Sequence, residues 1–140
     1  MVGTGITPGI TKTTDTPGTP FILSGNPVIV DVVIVSTAVD TGNTGQTYIL
    51  RAGLALGKIT TGSKYLQYLT GAVDGSGTFK GFLAENVNMH GPDGVARDTI
   101  AKVVIGGQPL IDEAAVFGLD ADAKTDQPEK FLWSSDYGAA

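Results

Sequence analysis

The sequence predicts a mostly β fold: a small β-sandwich or barrel-like domain with one or two short helices and an extended N-terminal arm. Three observations predict it. Short β-branched and aromatic runs recur about every ten residues, separated by glycine turns. Glycine, at 20 of 140 residues, is about twice its usual ~7%, and charged residues at 16% fall well below the usual ~25%, so helix formers are scarce. The first twenty residues, MVGTGITPGITKTTDTPGTP, hold Gly, Thr or Pro at most positions. A chain of ~150 residues buries roughly two-thirds of its unfolded surface around one core, so a single body is expected.

Residues 1 to 27 read as the arm. Pro8, Pro17 and Pro20 exclude helix, and the isolated Val2, Ile6 and Ile10 cannot form a core of their own. The arm's low charge sets it apart from disordered tails that stay soluble through charge. Val28 to Val35, VIVDVVIV, is a strand buried over much of its surface, bounded by Gly25-Asn26-Pro27 and Ser36-Thr37. DTGNTGQ, residues 40 to 46, is a turn cluster; short strands follow at Thr47 to Arg51, Leu54 to Thr60 and Lys64 to Leu69. The turn Asp74-Gly75-Ser76-Gly77 leads into an expected strand from Thr78 to Val87. Met89 to Arg97 is a loop, and Thr99 to Ile105 is the last strong strand before Gly106-Gly107. Acids in the first turn and Gly118 near the end mark 112–119 as a helix. A second short turn is expected from Pro128, placing Phe131, Leu132 and Trp133 against the body.

The net charge of −5 is local. Residues 1 to 111 carry seven acids and seven bases, whereas residues 112 to 140 carry seven acids against Lys124 and Lys130. The expected organisation is the arm 1–27, a β-rich body 28–119 and an acidic segment 120–140 that packs on the body or on a neighbour. No basic stripe exists for a phosphate backbone, so no nucleic-acid partner is expected. A neutral body short of charge is poorly dispersed alone, which points to neighbours covering part of it. Met1 to Pro20 lacks the basic start and apolar run of a secretory signal. The longest apolar block is broken by Asp31 and far too short to span a bilayer, so no membrane partner is expected.

The inventory for catalysis is thin, and no enzyme activity is expected. With no cysteine, disulfide scaffolds, zinc–thiolate sites and thiol nucleophiles are excluded. His90 is the single histidine and has no GxSxG or similar serine context, so it reads as a surface residue rather than a base. One histidine cannot form a histidine metal cluster. Asp120, Asp122 and Asp126 in DADAKTD resemble the opening of a calcium loop. Lys124, Thr125 and Phe131 then fall where an oxygen ligand, Gly and Glu are required, so the segment reads as a solvated acidic connector. Neither Gly3-Thr4-Gly5 nor Gly75-Ser76-Gly77 meets nucleotide-cradle spacing. No cofactor or metal is expected. Among the ten aromatics, Tyr65, Tyr68 and Trp133 would be the exposed platforms of a carbohydrate-binding or adhesive module on a virion or cell surface, the alternative reading.

One longer pattern adds to this. YILRAGLALGKI at 48–59, KYLQY at 64–68, GFLAENV at 81–87 and VVIGGQPLIDEAAVFGL at 103–119 together resemble, in order and spacing, the lambda-type bacteriophage head decoration (capsid cement) proteins. The stretches are spread over 48–119, about half the chain; the acidic segment with Trp133 lies outside it. It implies a non-enzymatic β-tulip-type domain that trimerises and binds the expanded icosahedral head at its three-fold and quasi-three-fold sites. The major capsid protein would be its partner and the outer surface of the virion its location. It also implies an N-terminal arm that adds to a sheet of the major capsid protein. Val2, Ile6, Ile10, Phe21 and Ile22 are the expected anchors, a role that an extended, weakly charged segment suits.

Overall fold

The longest ladder in the computed structural model joins strands some seventy positions apart in sequence. The model describes residues 20–127 and 129–138. In chain order the strands are β1 (Ile22–Ser24), β2 (Val28–Ile34), β3 (Ile49–Leu50), β4 (Ala55–Lys58), β5 (Tyr65–Gln67), β6 (Phe79–Leu83), β7 (Val87–Asn88), β8 (Thr99–Gly106), β9 (Leu110–Ile111) and β10 (Leu132–Trp133). A 3-10 turn occupies Glu113–Ala115, and the helices are α1 (Ala121–Asp126) and α2 (Ser134–Tyr137). The antiparallel β2–β8 ladder runs in register from Ile29↔Val104 to Ile34↔Thr99. Five strands close into a barrel in the order β2-β5-β4-β6-β8, sealed by the parallel pair Ile34↔Tyr65. The fold is therefore mostly β and barrel-based, with two short helices.

Strand alternation divides the apolar residues into two cores. Leu56, Leu83 and Val103 point inward and pack with Ile34, Leu50, Leu54 and Ala101. Their chain neighbours Ala55, Phe82 and Val104 point outward into a second cluster with Phe21, Phe79, Ile111, Phe131 and Trp133. What covers that outer face is the sheet β1-β9-β10 together with α1, whose Ala123 is fully buried. The first and last strands thus complete one body: β1 pairs antiparallel with β9, and β10 pairs parallel with it.

Three local expectations are corrected. The strand expected over Thr78 to Val87 ends at Leu83 and resumes as β7, which leaves the barrel to pair with β3. The helix expected over 112–119 is only the 3-10 turn. Asp112 caps it by accepting from the Ala114 N–H at 3.1 Å, and Val116 is already extended. Backbone pairing outcompetes the helix there, because Phe117 donates to the Gly53 carbonyl at 3.0 Å and accepts from the Ala55 N–H at 2.9 Å. Conversely, the expected solvated connector DADAKTD is helix α1. Its N-cap Asp120 accepts from the Ala123 N–H at 2.8 Å, and burial of Ala123 supplies the tertiary contact that so short a helix needs. Phe131, Leu132 and Trp133 do pack on the body, as an extended segment rather than a helical turn; Pro128 lies outside the described residues.

Candidate functional site

The sequence places function in the arm, and the described residues define its root. Phe21 is fully buried, its ring 5.6 Å from that of Phe82. Gly53 lies against it: φ there is +96°, and a Cβ would crowd the Ala115 carbonyl oxygen at 3.0 Å and touch Phe21 Cδ1 at 3.4 Å. The Asp112 N–H donates to the Phe21 carbonyl at 2.8 Å, and Ile22 pairs with Ile111. Phe21 thus fills the protein's own core, and Ile22 is a half-buried residue of β1. Val2, Ile6 and Ile10 lie outside the described residues.

The other end of the chain is fastened at the same short stretch. Glu113 accepts from the Ser135 N–H at 2.7 Å and pairs with Lys124. Partial burial pushes its carboxyl up, but hydrogen bonds from Lys124 and Ser135, with the Lys124 charge, outweigh this and hold it down at about 2. Asp120 behaves alike. Burial raises it, while hydrogen bonds from Thr70 (2.6 Å), the Ala123 N–H and Tyr68 (2.9 Å) bring it below the usual carboxylate range. Asp126 accepts from the Phe79 N–H at 2.9 Å. Between Glu113 and Asp120 lies an open cleft of about 330 Å³, also lined by Val116, Leu119 and Lys124, and both carboxylates are engaged by the protein itself.

His90 stacks on Tyr48 with ring centroids 4.2 Å apart and planes 3° from parallel. Its backbone N–H donates to Asn88 Oδ1 at 2.9 Å, and among the described residues its ring has no hydrogen-bond partner that would orient it as a base. Among the described residues no three His, Asp or Glu side chains gather as a metal site, and no helix is long and apolar enough to cross a membrane. The three aromatic platform candidates are not brought together as open ring faces. Tyr68 and Trp133 are buried in the outer core, and Tyr65 is half-buried against the barrel interior.

The sequence reading missed one anchor entirely. Asp40, read as part of a turn, is fully buried and accepts from Arg51 Nε at 2.7 Å and Nη2 at 3.1 Å. It also accepts from the backbone N–H groups of Gly42 and Arg51. Its position in a glycine-rich turn gives no local sign of burial; the nearest signal is an arginine directly after an apolar pair.

No family model, curated protein or solved structure matches the chain. The functional reading therefore rests on the residues and their geometry.

Proposed function

We propose that this chain is a non-enzymatic capsid decoration protein. As a trimer it binds the expanded head of a bacteriophage at three-fold and quasi-three-fold sites, on the outer surface of the virion, with the major capsid protein as its partner. The observation that carries the reading is the plug at Phe21. Nineteen weakly charged residues precede Pro20, and the residue that joins them to the body is fully buried between Gly53 and Phe82. A segment rooted in this way transmits its hold on a partner directly to the core. The four stretches that resemble the decoration family also fall on the barrel and on the strand and turn around this root, which is where a shared framework belongs.

The mechanism needs no active site. A ligand that binds only the expanded lattice stabilises it by mass action, and three arms on one trimer raise the effective concentration of each after the first engages. The extended Gly/Thr/Pro composition suits addition to a sheet edge, with main-chain hydrogen bonds supplying affinity and Val2, Ile6 and Ile10 supplying side-chain contacts. Removing residues 1–19 leaves a folded body that no longer cosediments with expanded heads or protects them from heat. Undiminished cosedimentation of the shortened protein would overturn the reading.

A further inference from the structure

Where β2 runs beside the first half of β8, the outward side chains remain in solvent. Val33 is 37% exposed, and Ile100, its direct cross-strand partner, is 70% exposed. The next outward pair along the ladder is Asp31↔Lys102, closed by an ion pair at 3.0 Å with side chains 61% and 58% exposed. Elsewhere on the barrel, outward Ala55, Phe82 and Val104 are covered by the protein's own terminal layer. Among the described residues no element covers the wall at Val33 and Ile100, and large aliphatic side chains paired there expose apolar surface that a polar pair would not.

We propose that this wall is the surface through which copies of the chain associate. The inference rests on the decoration reading for the claim that the chain forms a ring, and it adds the surface. Charge complementarity selects the occupant. The wall has a β2 half carrying Asp31 and Val33, and a β8 half carrying Lys102 and Ile100. Setting the β2 half of one copy against the β8 half of the next brings acid to base and aliphatic to aliphatic. Repeating that contact around a three-fold axis closes a ring. A partner of one charge sign meets one attraction and one repulsion at the same wall, so a second copy fits it better than an acidic or a basic surface. The acidic imbalance of the chain lies in residues 112–140, whose Glu129 and Lys130 line the Val28–Gly106 end of these strands, the opposite end of the ladder from Val33 and Ile100.

The test uses the full chain in sedimentation velocity over a wide concentration range, with thermal unfolding as the check on folding. Ile100→Asp weakens self-association by about tenfold or more with little change in the unfolding midpoint, because it places an unpaired charge in the contact. Asp31→Lys and Lys102→Asp each weaken it, and the double change D31K/K102D restores it. The chain has no cysteine, so Ile100→Cys offers a single site for a short bismaleimide, with Leu23→Cys, also exposed, as control. I100C links copies efficiently, in solution and on expanded heads, whereas L23C does not. A ring that forms equally well with Ile100→Asp, or I100C cross-linking no better than L23C, overturns this surface but leaves the decoration reading standing. I100C linking to the capsid protein instead of to another copy gives the wall a different occupant and also overturns it. Loss of head binding in the unmodified protein overturns the decoration reading itself.

Discussion

Arg51 holds the buried carboxylate of Asp40 with two donors, Nε at 2.7 Å and Nη2 at 3.1 Å, while its guanidinium lies 3.7 Å above the Phe117 ring. One side chain therefore ties the turn before β3 to the segment after the 3-10 turn, a fork geometry that lysine cannot reproduce. The two partners are unequally exposed, at 29% for Arg51 and 1% for Asp40. Arg51→Ala strands a buried charge and is expected to cost about 3–5 kcal/mol. Asp40→Ala leaves a cation that reaches water and costs less, about 1–3 kcal/mol. Equilibrium urea unfolding of both variants tests the order, and equal losses contradict it.

Acid stability follows from Glu113. Its carboxyl titrates at about 2 in the folded protein and near 4.5 when unfolded. The unfolded chain therefore binds the proton first as pH falls. The stabilisation is complete above the unfolded value and is lost progressively from about pH 4.5 down to about pH 2. Asp120, also held below its ordinary value, acts in the same direction. Glu113→Gln is expected to flatten the fall in unfolding free energy across this window, and denaturant titrations from pH 2 to 6 would read it. An unchanged slope would show that the Lys124 and Ser135 contacts do not bind the carboxylate.

Gly57 and Gly81 are required by close backbone approach rather than by turn geometry. A Cβ on Gly57 would lie 2.3 Å from the Ser76 carbonyl oxygen, and one on Gly81 would lie 2.4 Å from that of Val104. Backbone atoms cannot swing aside as a side-chain end can. Gly57→Ala and Gly81→Ala are each expected to cost about 1–3 kcal/mol, with G81A disturbing the antiparallel β6–β8 pairing within the barrel. Thermal unfolding followed by circular dichroism provides the measure, and wild-type midpoints would count against the packing described.

Phe21→Ala empties the plug at the root of the arm. The loss of a fully buried phenylalanine is expected to cost about 3–5 kcal/mol. Because Phe21 packs on Phe82, and Phe82 in turn on Trp133 at 6.2 Å, Trp133 fluorescence should report the loosening. A variant as stable as the parent, with unshifted emission, would mean that the arm is rooted elsewhere.

Much of the strand set was legible because its signals are local. β-branched runs such as VIVDVVIV and TIAKVVI favour a pleated, half-buried surface, and glycine-rich turns interrupt them on schedule. The DADAKTD segment was misread because its acids suggest solvation, whereas Asp120 is spent on capping α1 and holding Tyr68 and Thr70, and Asp126 on the Phe79 N–H. The burial of Phe21 has no local signal for a related reason: a lone aromatic after proline looks unsupported until β9 is placed next to it.

By itself, then, the sequence determined the β class, the turn positions, the charge balance of residues 1–111 and the acidic final fifth, all of which depend on residue type and near-neighbour spacing. Only the tertiary structure decided which strands meet, that the barrel closes through β2 and β5, and that the first and last strands, β1 and β10, join one sheet over its outer face. Those choices depend on contacts between residues distant in the chain. Two- and three-residue strands such as β1, β9 and β10 have too little periodicity to be found alone, and they exist because the aromatic cluster beneath them is buried only when they pair.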